Sequence, residues 1–177
     1  MSRCLTASHA GARCGRVSQF LAVATIALFV AAPAVAGDFA GRVVRVHDGD
    51  TLTVLVDQRQ IRVRLVDIDA PELGQAFGRR SRDSLAGMCT GVVVTIAEAG
   101  RDRYGRMLDR VTCRGADANA EQVRRGMAWV YVQYAPRNSP LYQLEQQART
   151  NRAGLWHDAR PIAPWEWRRH KELERQP

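Results

Sequence analysis

From residue 38 onward, apolar and polar positions alternate with a period of two in three successive runs. Residues 38–47 read as a strand, with Val44 and Val46 alternating against Val43 and Arg45. Residues 51–57 put Leu52, Val54 and Val56 on one face. Residues 60–66 put Ile61, Val63 and Leu65 on one face and Arg62 and Arg64 on the other. His47-Asp48-Gly49-Asp50 is a turn by composition. Gln58-Arg59 joins the second and third runs as a hairpin, although Gln-Arg is poor chemistry for a two-residue loop. The period then lengthens. Phe77, Ser81, Leu85 and Met88 form one stripe of a helix over 75–88. Strand-like runs return at 91–97 and 107–113, separated by a polar loop over 98–106. Asn119, with Gln122 three positions on and Gly126 as the stop, marks a short helix. Residues 128–134 are aromatic and extended. Ser139-Pro140 then starts a helix running to about Asn151. Beyond Gly154 the chain is rich in Pro, Trp and Arg and reads as an irregular tail.

Three strands, a helix, two strands and two helices predict an α+β domain, a five-stranded, all-antiparallel OB-fold β-barrel with three helices. It occupies residues 37–160, and 161–177 form a C-terminal Trp/Arg-rich tail. A length of 177 residues fits one domain, and 46% hydrophobic with 25% charged residues excludes a disordered or fibrous chain. The net charge is +8, and every basic residue except Lys171 is arginine. This favours nucleic acid over small acidic substrates. Biased codon usage also enriches arginine, so charge does not decide the matter.

Residues 1–36 read as an address. Arg3, Arg13 and Arg16 precede an apolar run from Phe20 to Val30, and Ala34-Val35-Ala36 has the small-x-small form of a signal peptidase site. Cleavage is expected after Ala36, giving a periplasmic or extracellular protein with no stable membrane association. The alternative is an uncleaved anchor, for which Phe20 to Ala36 is short and is interrupted by Pro33. Export removes Cys4 and Cys14 and leaves Cys89 and Cys113 in an oxidising compartment. They are expected to form a disulfide or to remain two buried thiols; His47, His157 and His170 are too scattered for a zinc site.

Acidic residues gather in Asp48-Gly49-Asp50-Thr51, after the first strand, and Asp67-Ile68-Asp69-Ala70-Pro71-Glu72, after the third. In a meander these two ends share one rim. Carboxylates brought together there need a proton or a cation, and oxygen donors suit Ca²⁺ or Mg²⁺. Arg64 lies five positions before Asp69, and Arg106 closes Asp102-Arg103-Tyr104-Gly105-Arg106. Planar guanidinium groups suit bidentate phosphate contact and a charged phosphoryl transition state.

Together DGDT, RLVDIDAPE, DRYGR and AWVYVQYAPRN resemble the staphylococcal nuclease family, in order, from about Gly41 to Trp156. The resemblance implies a Ca²⁺-dependent phosphodiesterase acting on DNA and RNA and leaving 3′-phosphate products. It implies metal ligation by Asp50, Asp69 and the main-chain carbonyl of Ala70. Glu72 would activate the attacking water, and Arg64 and Arg106 would bind phosphate. Arg103, Tyr104 and Tyr134 would hold the nucleotide. Two positions depart from the family pattern: Ala70 stands in place of Thr, and Val132 in place of the first nucleotide-site tyrosine, with Tyr131 adjacent. The segment after Glu72 is also shorter. A non-catalytic OB-fold binding module is the other reading, but it would not need Asp50, Asp69, Glu72, Arg64 and Arg106 together. A monomer is expected.

Overall fold

The computed structural model describes residues 39–96 and 100–175. In chain order the strands are β1 (Phe39–Val46), β2 (Thr51–Val56), β3 (Arg59–Leu65), β4 (Ile68–Asp69), β5 (Val93–Ile96), β6 (Met107–Asp109), β7 (Thr112–Cys113), β8 (Ala116–Asp117) and β9 (Trp129–Val130). The helices are α1 (Gly78–Cys89), α2 (Ala118–Arg124), α3 (Leu141–Thr150) and α4 (Pro164–Leu173), with a 3₁₀ turn over Gly154–His157. Five strands form a curled sheet in the order β5-β1-β2-β3-β6. This is the expected OB-type half-barrel with one difference. β3 pairs with β6 in parallel, Arg64 opposite Leu108, so the sheet is not all-antiparallel. Two further two-stranded ladders, β4·β9 and β7·β8, form separate sheets.

The meander forms because its alternating residues have a core to face. Val43, Leu52, Val54, Val63 and Leu65 are buried, and so are Val94, Ile96 and Met107. Val43 rather than Val44 points inward, and the β1–β2 register shifts between Val43 and Arg45. The hairpin loop is Asp57-Gln58, not Gln58-Arg59. Both residues have positive φ, 43° and 67°, the backbone that a tight two-residue hairpin requires. Helix α1 buries Gly78, Ser81, Leu85 and Cys89. The expected stripe thus shifts at its ends, since Phe77 precedes the helix with a φ of 65° and Met88 is only half-buried. Cys89 is bonded to Cys113 with Cα atoms 5.3 Å apart, which stitches α1 to β7 and settles the two cysteine readings in favour of the disulfide.

Several expected elements differ. The run 107–113 breaks into β6 and β7, and within 128–134 only Trp129–Val130 is a strand. Strand β5 ends at Ile96; residues 97–99 of the expected strand and loop, and the expected leader 1–36, lie outside the described residues. Asp117, not Asn119, caps α2, accepting from the Ala120 N–H at 3.1 Å. Asn119 is fully buried and bridges the Val111 N–H and the Val66 carbonyl. The largest difference lies in the tail. Residues 164–173 form α4, a fourth helix, started by Pro164 in its first turn. Trp165 fixes it by stacking on Tyr131 (centroids 5.5 Å apart, planes 3° apart) and meeting Trp129 edge-on at 5.8 Å.

Candidate active site

The β1–β2 turn and the β3–β4 turn meet on one rim, where the Leu65 N–H donates to the Asp50 carbonyl at 2.8 Å. The first turn is braced from below. A side chain at Gly49 would strike Ser81 and Ala70, so only glycine lets this backbone lie on α1. The Gly49 carbonyl accepts from the buried Gln122 amide at 2.7 Å, and that amide also donates to the Ser81 carbonyl at 3.0 Å. Gln122, expected as part of a helix cap, instead ties the turn to α1 and α2.

Asp50 and Asp69 are buried and joined by one guanidinium. Arg64 approaches Asp50 Oδ2 at 2.9 Å through Nη1 and Asp69 Oδ1 at 3.0 Å through Nη2. Its Nη1 also donates to the Leu65 and Ile68 carbonyls, each at 3.1 Å. Asp50 Oδ2 accepts from the Ala70 N–H at 2.7 Å and Asp50 Oδ1 from the Thr51 hydroxyl at 3.0 Å. Burial pushes the Asp69 carboxyl up to about 6, with the Asp50 charge acting in the same direction and the hydrogen bonds of Arg168 opposing. Burial, and then the Asp50 charge, push Asp48 up to about 7.

Carboxylate oxygens suit a hard divalent cation, and Asp50 and Asp69 would provide them. Among the described residues no three His, Cys, Asp or Glu side chains close around one point. Asp50 and Asp69 are the two buried carboxylates that Arg64 joins.

Arg106 reaches the same rim from the loop before β6. Its Nε donates to Asp102 at 2.7 Å and its Nη1 to the Thr51 hydroxyl at 3.5 Å. Asp102 also accepts from the Tyr104 and Arg106 N–H groups, each at 2.9 Å. Burial acts to raise the Asp102 carboxyl, but the hydrogen bonds from Arg106 and then Tyr104 outweigh it and hold the group below the usual carboxylate range. Arg103 and Tyr104 are exposed beside it, and the Tyr104 ring lies under the guanidinium groups of Arg103 (5.1 Å) and Arg106 (5.4 Å). Tyr134 sits elsewhere, in an aromatic group with Tyr131 (4.8 Å) and, through Tyr131, Trp165.

Glu72 stands at the mouth of the site, half-exposed. Its backbone is pinned where Gln75 N–H returns to the Glu72 carbonyl at 2.8 Å, and any side chain at Gly78 would strike that carbonyl. Its carboxylate is held by a residue that the sequence reading missed. Arg168 on α4 donates to Glu72 Oε1 at 2.8 Å through Nη1 and to Asp69 Oδ2 at 2.7 Å through Nη2. Burial works against the Arg168 charge, but the hydrogen bonds and charges of Asp69 and then Glu72 outweigh it and hold the group above the ordinary arginine range. The signal for α4 was present in Ala163-Pro164, with Glu166 in the first turn and His170 and Lys171 in the last. Nothing local signals its target, which lies 96 to 99 positions away.

The site has the parts for phosphate chemistry: paired carboxylates, an outer carboxylate, and arginines on the same rim. Comparison with known proteins agrees. Residues 62–158 match the family model described as staphylococcal nuclease homologue. The chain is 46% identical over 156 residues to a micrococcal nuclease of Shigella flexneri, covering 82% of this chain and 89% of that protein. It is 46% identical over 164 residues to protein ParB of Escherichia coli, covering 87% and 92%. It is also 46% identical over 140 residues to an uncharacterized endonuclease of Escherichia coli O157:H7, covering 78% and 91%. The chain belongs to the staphylococcal nuclease family and is a nuclease, a hydrolase of phosphodiester bonds.

Proposed function

We propose that the protein is an exported, Ca²⁺-dependent endonuclease that cleaves DNA and RNA and leaves 3′-phosphate ends. The observation that carries this reading is the single guanidinium of Arg64 holding Asp50 and Asp69 together on the rim that Arg106 also reaches. Asp50, Asp69 and the Ala70 carbonyl would hold Ca²⁺, which supplies charge stabilisation at a phosphate oxygen. Arg106 offers the phosphate a planar fork, oriented by Asp102. Glu72 Oε accepts the proton of the attacking water as its oxygen bonds to phosphorus. The bond from phosphorus to the 5′ oxygen breaks, and that oxygen leaves with a proton from solvent. Arg106 and Arg64 oppose the negative charge that develops on the way. Arg103 and Tyr104 beside Arg106, and Tyr134 in the separate Tyr131 group, are exposed, and this reading assigns them contacts with the nucleotide.

Export rests on Arg3 to Ala36 in the sequence. Among the described residues no helix is long and apolar enough to cross a membrane. The test is plasmid and RNA digestion with Ca²⁺ and with chelator, with end-group analysis of the products. Cleavage that ignores the chelator, or 5′-phosphate ends, would overturn the metal or the bond assignment. N-terminal sequencing of the protein from the periplasm or medium should begin at Gly37; an intact Met1 would overturn export by cleavage.

A further inference from the structure

Helix α4 lies beyond the span matched by the family model, yet it delivers a cation to the carboxylates. Arg168 makes a two-pronged contact, one nitrogen on Asp69 and the other on Glu72, with a longer third contact of 3.3 Å from Nη1 to Asp69 Oδ1. Both oxygens of Asp69 are thereby taken, Oδ1 by Arg64 and Oδ2 by Arg168. A divalent cation on Asp69 would compete with these contacts for the same two oxygens and would also meet the repulsion of the guanidinium. The two arginines differ in how firmly they are seated. The Arg64 side chain is 11% exposed and is held by two main-chain carbonyls besides its carboxylates, whereas that of Arg168 is 38% exposed and pairs with carboxylates alone. Arg168 is the one that can leave. Its helix need not leave with it, because Trp165 is packed on Tyr131 and Trp129 one turn earlier.

We propose that Arg168 is an internal counter-ion and positioning residue of the site: it holds Asp69 and Glu72 in the metal-free enzyme, competes with a divalent cation for them, and so sets the concentration at which the site fills. The inference rests on the assignment of Asp50 and Asp69 as the metal carboxylates. In place of an unpaired cluster of acids, the metal-free enzyme carries a salt-bridged one. Cation binding exchanges one positive partner for another.

Metal affinity is the reading that separates this from a merely structural role. Terbium luminescence and calorimetry with Ca²⁺ would be measured on the whole exported protein, without substrate, for wild type, Arg168→Gln, Arg168→Lys and Asp69→Asn. Arg168→Gln is expected to bind Ca²⁺ and Tb³⁺ roughly tenfold more tightly, the scale of one partly exposed unit charge. Arg168→Lys should fall between it and wild type, since it keeps the charge but not the fork. The half-saturating Ca²⁺ for cleavage should drop in parallel. A disordered site would bind metal more weakly, so damage cannot imitate the expected result. Unchanged or weaker binding by Arg168→Gln, with wild-type circular dichroism, would overturn the counter-ion while leaving the metal site standing. Should Arg168→Gln not fold, Arg168→Lys decides: binding no tighter than wild type overturns the proposal. If Asp69→Asn binds as tightly as wild type, the metal assignment fails and the inference with it.

Discussion

The two halves of the carboxylate site are built by different means. On the strand side, Asp50, Arg64 and Ala70 are locked by sheet register, by main-chain carbonyls and by each other, and Gln122 braces the turn beneath them. On the helix side, Glu72 is half-exposed and its carboxylate pairs with one side chain, Arg168, from an element about a hundred residues away. The first half is held by buried ion pairs and by main-chain hydrogen bonds from several elements. The second is a contact that can be exchanged. If the site accepts a cation and a phosphate as proposed, it needs both: a rigid part to preserve the geometry of the charges, and a replaceable part to occupy the carboxylates meanwhile.

Breaking the rigid half should have the largest effect. Arg64→Met leaves Asp50 and Asp69 buried without their shared partner. The metal-free protein should lose about 3 to 5 kcal/mol in denaturant unfolding, the usual result of removing one member of a buried pair. Saturating Ca²⁺ should return part of that loss by neutralising the same carboxylates. Cleavage should nearly vanish in either condition. A loss under about 1 kcal/mol in chelator would show that Arg64 is a surface phosphate ligand only.

The halves also differ in how far they could be read from sequence. Asp50, Arg64, Asp69 and Glu72 fall within 23 positions of one another, at or beside the ends of strands whose period-two pattern places those ends on a common rim. Arg106 entered by its motif and is placed by the parallel pairing of β3 and β6, which alternation alone does not predict. Gln122 and Asn119 were legible only as helix-start residues. Their buried contacts to Gly49 and Val66 depend on how α2 packs under the sheet. The tail is the least legible segment, because its Trp and Arg content reads as irregular and the order of α4 comes from Trp129 and Tyr131, which receive Trp165.

The exchangeable half should show the opposite signature, lost chemistry with little lost stability. Glu72→Gln keeps an oxygen that can accept from Arg168, and a partly exposed ion pair contributes under about 1 kcal/mol. Its melting temperature should stay within a few degrees of wild type. Its kcat on single-stranded DNA should drop about 10²-fold or more, because an amide cannot take the water proton, and added Ca²⁺ should not restore it. Near-normal kcat would remove Glu72 from the proposed base role.

Arg62 supplies the smallest effect and tests whether the rim is special at all. It lies on the same strand as Arg64, two residues away, but is exposed and pairs across the sheet with Thr53 rather than with the carboxylates. Thr53 in turn holds the His47 ring at 2.8 Å from Nε2. Burial lowers the His47 pKa below its ordinary 6.5, and the charges of Arg62 and then Arg45 lower it further. A histidine depressed in the folded state gives stability that is complete above the unfolded value and is lost as pH falls through the folded one. Arg62→Ala removes the second of the three causes. By NMR titration His47 should move up toward 6.5 without reaching it, since burial and Arg45 remain, and the stability lost below pH 6.5 should shrink. Cleavage should keep its kcat and weaken only modestly in binding, more at low salt than at high. A kcat loss comparable to that of Glu72→Gln would mean that positive charge anywhere on this strand drives turnover. A His47 that does not move would place Arg62 farther from the ring than its strand position implies.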